Sequence, residues 1–284
     1  MNMRLVNAAP DTIPTIADIK ETQELQGSLI FQVRNASKAF GSNRAIDAVS
    51  FGVRRGEFLA VLGPSGAGKT TLFRCLAGLT AMDSGSATLA DADVTSLESR
   101  ERRRIAVVFQ QFNLVSRLTA KQNVLAGRLG HVPAWRGWFR SFTQADQLLA
   151  LECLDRVGLL AQAEQRADSL SGGQQQRVAI ARALAQQPDV IIADEPVASL
   201  DPRIGGEILE LLRSICHSRG NGIAVICSLH QPHFARRFAD RVVGLASGRI
   251  VIDVAANIFT DAMLQSVYGH SNPIESERAQ HDTH

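Results

Sequence analysis

The sequence predicts an α/β fold in which a mostly parallel β-sheet is covered by helices. The first observation is a series of short, continuous apolar runs, a pattern typical of strands that are buried on both faces. The second observation is that segments with helical spacing separate these runs. The predicted strands are Phe58–Leu62, Ala106–Phe109, Val190–Ala193, Ala224–Cys227 and Val242–Leu245. The predicted helices are Thr70–Leu79, Ala145–Val157, Gln174–Ala185 and Ile204–Cys216.

Two parts of the chain differ from this pattern. Alternating apolar residues at 30–33 and 49–53 predict half-buried antiparallel strands, separated by the turn-forming sequence Gly41-Ser42-Asn43. The stretch from about 111 to 170 has helix-like spacing without a buried strand, which predicts a helical sub-domain inserted into the sheet domain. We therefore expect a loose arm over 1–28, one folded domain over 29–270 and a frayed tail over 271–284.

The composition excludes several classes of protein. With 284 residues, of which 45% are hydrophobic, the chain can bury a core and is not disordered. A formal net charge of +2 counts against a protein that coats nucleic acid through a broad cationic surface. No apolar run approaches the roughly 20 residues that a membrane-spanning helix needs. The four cysteines lack the spacing of a zinc site or a disulfide scaffold. We expect a soluble protein of a reducing compartment.

The strongest local signal directly follows the strand at 58–62. Residues 63–70 match the pattern G-x-x-x-x-G-K-[ST] between a predicted strand and a predicted helix. Glycines allow backbone N–H groups to surround phosphate oxygens, and the helix N-terminus adds a partial positive charge. Lys69 would reach the terminal phosphates of ATP, and the Thr70 hydroxyl would bind Mg²⁺. The predicted nucleotide-binding residues of this loop are Gly63, Pro64, Ser65, Gly66, Ala67, Gly68, Lys69, Thr70 and Thr71.

Two acidic residues end the predicted strand at 190–193. A buried carboxylate is unfavourable unless a cation compensates its charge, so we assign Asp194 to Mg²⁺, through the water shell of the ion. Successive residues of a strand point to opposite sides, so Glu195 can have a different role. We assign Glu195 as the general base that polarises the attacking water. The alternative is a pair of exposed acids at the end of a strand.

A second glycine motif, Leu-Ser-Gly-Gly-Gln at 170–174, precedes a helix rich in alanine and arginine. Ser171 is a favourable N-cap, and the two glycines leave the helix N-terminus sterically open. Because such a helix end attracts anions, the start of this helix is predicted to be a second phosphate-binding site. The alternative is a capped helix with a flexible approach.

These three motifs, in this order, resemble those of the ATP-binding subunits of ABC transporters. The matching segments are GPSGAGKT at 63–70, LSGGQ at 170–174 and IIADEP at 191–196. The resemblance covers nearly the whole folded body. It implies a P-loop NTPase fold with a RecA-like, mostly parallel sheet core, an N-terminal antiparallel β sub-domain and an inserted helical sub-domain.

Lesser motifs of the same family have counterparts here. Phe40 lies where the family places an aromatic residue that stacks on adenine. Gln110 follows a predicted strand at the position of the Q-loop, whose glutamine contacts Mg²⁺ and senses the membrane partner. The segment 199–201, Ser-Leu-Asp, matches the D-loop, and His230 matches the switch histidine. The resemblance thus implies catalytic roles for Gln110 and His230 beside Glu195, and metal contacts for Thr70, Gln110 and Asp194.

The family mechanism implies that two copies of the chain work together. The subunits would meet head to tail, and each ATP would be clamped between the phosphate loop of one copy and the LSGGQ helix of the other. Ser171, Gly173 and Gln174 would therefore act in trans. The implied partners are integral membrane permease subunits and, indirectly, a substrate-binding protein. The implied location is peripheral, on the cytoplasmic face of the inner membrane.

Within this family, the sequence is similar to the ATP-binding proteins of phosphonate importers. The similar segments are 108–119, 123–129, 193–202, 229–231, 240–245 and 268–269. Two segments depart from that subgroup, namely Pro232-His233-Phe234 and Val254-Ala255-Ala256. An ABC ATPase for another cargo, such as an amino acid, a metal chelate or a lipoprotein, therefore stays an alternative. A non-transport ABC ATPase that acts on nucleic acid is disfavoured, because the chain has a single cassette without sustained heptads or metal-spaced cysteines.

An aromatic cluster lies in the predicted helical sub-domain. It consists of Trp135, Trp138, Phe139 and Phe142, with Arg136 and Arg140 between them. Aromatic residues and arginine are enriched at interfaces, which favours a groove for a helix of the membrane subunit. Packing within the sub-domain is the alternative explanation.

Overall fold

Two β-sheets form the frame of the computed structural model, which describes residues 29–132, 142–218 and 222–269. The first sheet is antiparallel, and its strands lie in the order β2-β1-β4-β5. Its strands are β1 (Leu29–Phe40), β2 (Asn43–Arg54), β4 (Ser84–Leu89) and β5 (Ala92–Asp93). The antiparallel pair predicted for the start of the chain is confirmed. The sequence analysis did not identify β4 and β5, because their residues are mostly small and polar.

The second sheet is mostly parallel and has the order β10-β9-β3-β8-β7-β6. Its strands are β3 (Phe58–Leu62), β6 (Ile105–Val108), β7 (Val190–Ala193), β8 (Ala224–Ser228), β9 (Arg241–Ala246) and β10 (Arg249–Ala255). The five strands predicted from apolar runs all lie in its parallel part, which confirms the predicted α/β fold. The edge strand β10 is antiparallel to β9 and was not predicted, since polar and apolar residues are mixed in it.

Burial on both faces explains why the parallel strands are continuously apolar. In β3, Phe58, Ala60 and Leu62 belong to one hydrophobic core. The intervening Leu59 and Val61 belong to a second core on the other face of the sheet. Successive side chains of a strand point to opposite faces, so a strand covered on both sides must be apolar at every position.

Helices connect the parallel strands. They are α1 (Lys69–Leu76), α2 (Ser99–Arg102), α3 (Ala120–Ala126), α4 (Gln144–Arg156), α5 (Gly172–Ala185), α6 (Pro202–Cys216), α7 (Pro232–Phe238) and α8 (Asp261–Tyr268). The four predicted helices correspond to α1, α4, α5 and α6. None of the helices in the described part of the chain is long and apolar enough to cross a membrane. All four cysteines are buried and unpaired.

The helical sub-domain predicted over about 111–170 contains α3 and α4, which pack against each other and against α5. In the described part of this stretch, the only β pairing is an isolated bridge between Thr119 and Arg166. The bounds of the sub-domain stay a prediction. The arm, the tail and the aromatic positions 135–140 lie outside the described residues.

Candidate functional site

The phosphate loop connects β3 to α1. Gly68 is the N-cap of α1, and no side chain caps this helix, so its first N–H groups are available to an anion. Lys69 is buried, and its Nζ donates hydrogen bonds to the carbonyl oxygens of Gly63 (2.6 Å) and Pro64 (3.0 Å). The ammonium group is thus held over the loop by backbone acceptors that phosphate oxygens can replace. Burial lowers the pKa of Lys69, and the negative charges of Glu195 and Asp194 oppose this effect.

Two glycines of the loop have a left-handed backbone for different reasons. Gly68 has φ +101°, and a Cβ at this position would lie 2.1 Å from the carbonyl oxygen of Ala45 in β2. Gly66 has φ +78°, but no atom lies within 4 Å of the position that its Cβ would occupy. Only Gly68 is therefore required both by its backbone conformation and by the close approach of another strand.

We expect Gly68→Ala to weaken nucleotide binding strongly, by about 100-fold, because the first turn of α1 must shift away from β2. Gly66→Ala meets only the strain of a left-handed alanine, about 1–2 kcal/mol, and serves as the matched control. Titration with a fluorescent ATP analogue, together with thermal unfolding of both variants, measures the difference. Equal losses of nucleotide affinity in the two variants would show that the close approach of Ala45 to Gly68 does not affect nucleotide binding.

The two predicted acids lie at the carboxyl end of β7 and share one partner in the neighbouring strand. The Ser228 hydroxyl, at the end of β8, donates a hydrogen bond to Asp194 Oδ1 (2.9 Å) and accepts one from the Glu195 N–H (2.8 Å). Ser228 is completely buried. Glu195 has φ +50°, a conformation that is disfavoured for residues other than glycine. The chain therefore leaves the extended geometry of β7 at Glu195.

Asp194 faces the phosphate loop. Burial raises the pKa of this carboxyl group, and the charge of Glu195 adds to the effect. Hydrogen bonds from Ser228 and Thr70 and the charge of Lys69 act in the opposite direction. A half-buried carboxylate beside a threonine hydroxyl is a donor set of hard oxygens, which fits Mg²⁺. The residues present therefore suit the predicted metal.

Glu195 contacts the predicted switch histidine directly. The distance from His230 Nε2 to Glu195 Oε1 is 2.5 Å, and the histidine side chain is 43% exposed while that of the glutamate is 18% exposed. His230 follows β8, so two adjacent parallel strands bring the pair together. The fold thus gathers Lys69, Thr70, Asp194, Glu195 and His230 at one edge of the sheet.

Gln110 lies just beyond the end of β6 and is exposed. Within the described residues it has no hydrogen-bond partner, so its predicted metal contact stays a prediction. The loop after it is held by Arg182 of α5, which donates hydrogen bonds to the carbonyl oxygens of Phe112 (3.0 Å) and Asn113 (2.6 Å). The position of the glutamine loop therefore depends on the helix that follows the LSGGQ motif.

The LSGGQ motif forms the N-terminus of α5. Ser171 is the N-cap, as predicted, and it forms a reciprocal capping box with Gln174. Among the described residues, no hydrogen bond or ion pair joins Ser171, Gly173 or Gln174 to the phosphate loop of the same chain. A Cβ on Gly173 would lie 2.6 Å from Cγ2 of Ile204, so packing against α6 is one reason for this glycine. The expectation that the glycines keep the helix N-terminus sterically open stays a prediction.

Phe40 ends β1, and its ring is 56% exposed. The Nζ atom of Lys38 lies 5.5 Å from the centre of this ring. The neighbouring strand β2 contacts the phosphate loop through Ala45, which lies beside Gly68. An exposed aromatic ring on this hairpin is therefore close in the fold to the phosphate loop, and its stacking on adenine stays a prediction.

Ser228 is the residue of the candidate site that the sequence analysis missed. It ends an apolar run that was predicted as Ala224–Cys227, so its position at a strand end beside the acids was visible. A lone serine carries no motif, however, and only the register of β8 against β7, with Cys227 opposite Ala193, places it next to Asp194.

Comparison with known proteins gives consistent matches. A family model described as ABC transporter matches residues 46–198. The hypophosphite import ATP-binding protein HtxD of Stutzerimonas stutzeri is 47% identical over 241 residues, covering 84% of this chain and 70% of that protein. The phosphonates import ATP-binding protein PhnC of Rhodopseudomonas palustris (strain BisB5) is 50% identical over 233 residues, covering 81% of this chain and 86% of that protein.

Solved structures with the same fold are ATP-binding cassettes. A nucleotide-free cassette from an ABC transporter has a TM-score of 0.72 at 25% identity and covers 88% of this chain and 98% of its own. The dimeric, post-hydrolysis structure of the cassette MJ0796 bound to ADP and Pi has a TM-score of 0.68 at 33% identity, with coverage of 81% and 100%. Both similarities extend over most of the folded residues.

Proposed function

Because this chain belongs to the ABC transporter family, we propose that it hydrolyses ATP to drive the import of phosphonates or related phosphorus oxyanions. The family membership makes it the ATP-binding subunit of an ABC importer and an ATP hydrolase coupled to transport. The proposal concerns the cargo, the roles of the individual residues, the metal and the assembly.

The proposed catalytic roles are supported by one observation, namely that five side chains lie together at the carboxyl edge of the parallel sheet. They are those of Lys69, Thr70, Asp194, Glu195 and His230. Lys69 and the N–H groups of α1 bind the phosphates of ATP, together with the loop that precedes them. Glu195 accepts a proton from the attacking water, because it is the acid that contacts His230. His230, in contact with Glu195 Oε1, orients that carboxylate and the terminal phosphate.

Thr70, Asp194 and Gln110 are the residues that hold Mg²⁺ in this proposal. The ion, when bound, supplies neutralisation of the negative charge on the phosphates. The Thr70 hydroxyl and the Asp194 carboxylate are close enough to interact, so both oxygens lie next to the phosphate loop. Gln110 joins them from the end of β6.

The active assembly in this proposal is a head-to-tail dimer that is attached to membrane permease subunits on the cytoplasmic face of the inner membrane. The separation of Ser171, Gly173 and Gln174 from the phosphate loop of their own chain supports a role toward the ATP of a second copy. The dimeric cassette among the solved relatives supports the same assembly. The absence of a membrane-spanning helix from the described residues agrees with a separate permease.

The cargo is inferred from relatives that are named for hypophosphite and phosphonate import and are 47% and 50% identical to this chain. The test is reconstitution of the chain with its permease and binding protein in vesicles, followed by measurement of ATP hydrolysis with candidate cargoes. We expect stimulation by a phosphonate, hypophosphite or phosphite. Stimulation by an amino acid or a metal chelate, and by none of the phosphorus oxyanions, would contradict the proposed cargo while leaving the ATPase function intact.

A further inference from the structure

We propose that Ser228 is a positioning residue that sets the different roles of the two active-site acids with a single hydroxyl group. The inference rests on the proposed ATPase function and concerns the same site. Ser228 ends β8, which lies between β3 and β7 in the sheet. The residue therefore stands between the strand that leads into the phosphate loop and the strand that leads into the acids.

The two hydrogen bonds of Ser228 use the hydroxyl as both donor and acceptor. Its O–H donates a hydrogen bond to Asp194 Oδ1, with an O···O distance of 2.9 Å. Its oxygen accepts a hydrogen bond from the backbone N–H of Glu195, with an N···O distance of 2.8 Å. Because Ser228 is fully buried, water cannot replace either bond if the hydroxyl is removed. The directions of the two bonds are fixed, since the ionised carboxylate can only accept and the backbone N–H can only donate.

The bond to Asp194 orients the carboxylate that is assigned to the metal. Asp194 is half-buried at the carboxyl end of β7. Ser228 donates a hydrogen bond to Asp194 Oδ1, and Thr70 is the other hydroxyl group that acts on this carboxylate. Thr70 is itself assigned to the metal, so Ser228 is the donor that serves orientation alone.

The bond to the Glu195 N–H supports the backbone turn that separates the acids. Glu195 has φ +50°, and such a conformation persists only where surrounding contacts hold it. An extended backbone at this position would continue β7 and would carry the Glu195 carboxylate away from His230. Ser228 thus acts on catalysis through the geometry of Glu195, without touching the reacting atoms.

The test compares Ser228→Ala and Ser228→Thr with the unaltered full-length protein. For the alanine variant we expect kcat for ATP hydrolysis to fall about 10- to 100-fold and the KM for Mg²⁺ to rise several-fold, as for loss of a hydrogen bond to a charged group. The threonine variant retains the hydroxyl and is expected to stay within about three-fold of the wild-type rate. ATP affinity measured in EDTA should be unchanged, because Lys69 and the phosphate loop are not altered.

A readout without turnover and a packing control complete the experiment. Binding of Mn²⁺ to the ADP complex, followed by electron paramagnetic resonance, should weaken in the alanine variant. Cys227→Ala removes one buried side-chain atom, Sγ, at the preceding position of β8, just as Ser228→Ala removes Oγ. This control should leave kcat within about two-fold of the wild-type value. Unfolding temperatures of all variants report on folding.

Three results would overturn the inference. They are an unchanged kcat and Mn²⁺ affinity in Ser228→Ala, an equal loss in Cys227→Ala, or a folded Ser228→Thr variant that is as impaired as the alanine variant. Absence of ATP hydrolysis in the wild-type protein would instead contradict the proposed function. The two failures are therefore distinguishable.

Discussion

Glu195→Gln is expected to abolish nearly all ATP hydrolysis while leaving ATP binding intact. The substitution keeps the size of the side chain and the contact distance to His230, but an amide cannot accept the proton of the attacking water. Positioned proton transfer is worth about 10²- to 10⁴-fold in rate, and we expect a loss in this range. Release of phosphate in single-turnover experiments measures it, and retention of a fluorescent ATP analogue on the protein measures binding.

Asp194→Asn provides the contrast to this variant. Asp194 faces Thr70 and the phosphate loop, so its amide analogue should raise the Mg²⁺ concentration required for turnover rather than only lower kcat. The two neutralised acids would then have different kinetic signatures. A Glu195→Gln protein that hydrolyses ATP at a rate close to that of the wild type would remove Glu195 from the role of general base.

The sequence was sufficient to predict the parallel sheet, because a strand that is buried on both faces is a run of consecutive apolar residues. A strand such as Phe58–Leu62 must be apolar at every position when two cores cover it. The strand Ser84–Leu89 lacks this apolar pattern, because it is rich in serine and glycine. Its pairing with β1 determines its conformation. Because β1 is distant in the sequence, a local residue pattern cannot predict this pairing.

The residues of the candidate site could be proposed from the sequence wherever a motif has a chemical reason for its spacing. Lys69 and Thr70 belong to one loop, and Asp194 and Glu195 are adjacent, so each pair is visible within a few residues. The contacts between pairs depend on strand order. The contact between Glu195 and His230, and the bridge formed by Ser228, exist because β8 lies next to β7. The order of the strands along the chain does not predict that β8 and β7 are neighbours in the sheet.

Mixed dimers of two inactive variants are expected to regain ATP hydrolysis if the LSGGQ helix acts in trans. Lys69→Ala removes the ammonium group of the phosphate loop. Ser171→Asp retains a good N-cap for α5 but places a carboxylate where the phosphates of the partner's ATP would bind. A like charge at about 4 Å costs about 4 kcal/mol at an effective dielectric constant near 20, so we expect a loss of at least about 100-fold. Ser171→Asn, a neutral cap of the same size, is the matched control and should lose far less.

The mixed dimer, purified through one affinity tag on each variant, decides between the two arrangements. In a head-to-tail dimer, one site combines both substitutions and the other combines an intact phosphate loop with an intact LSGGQ helix, so about half of the wild-type activity should return. Pairing Lys69→Ala with Glu195→Gln should restore nothing, because both residues belong to the same half of each site. If each LSGGQ helix served its own chain, the first mixed dimer would be as inactive as its parents. The hydrogen-bonded capping box of Ser171 and Gln174 would then have only its structural role at the start of α5.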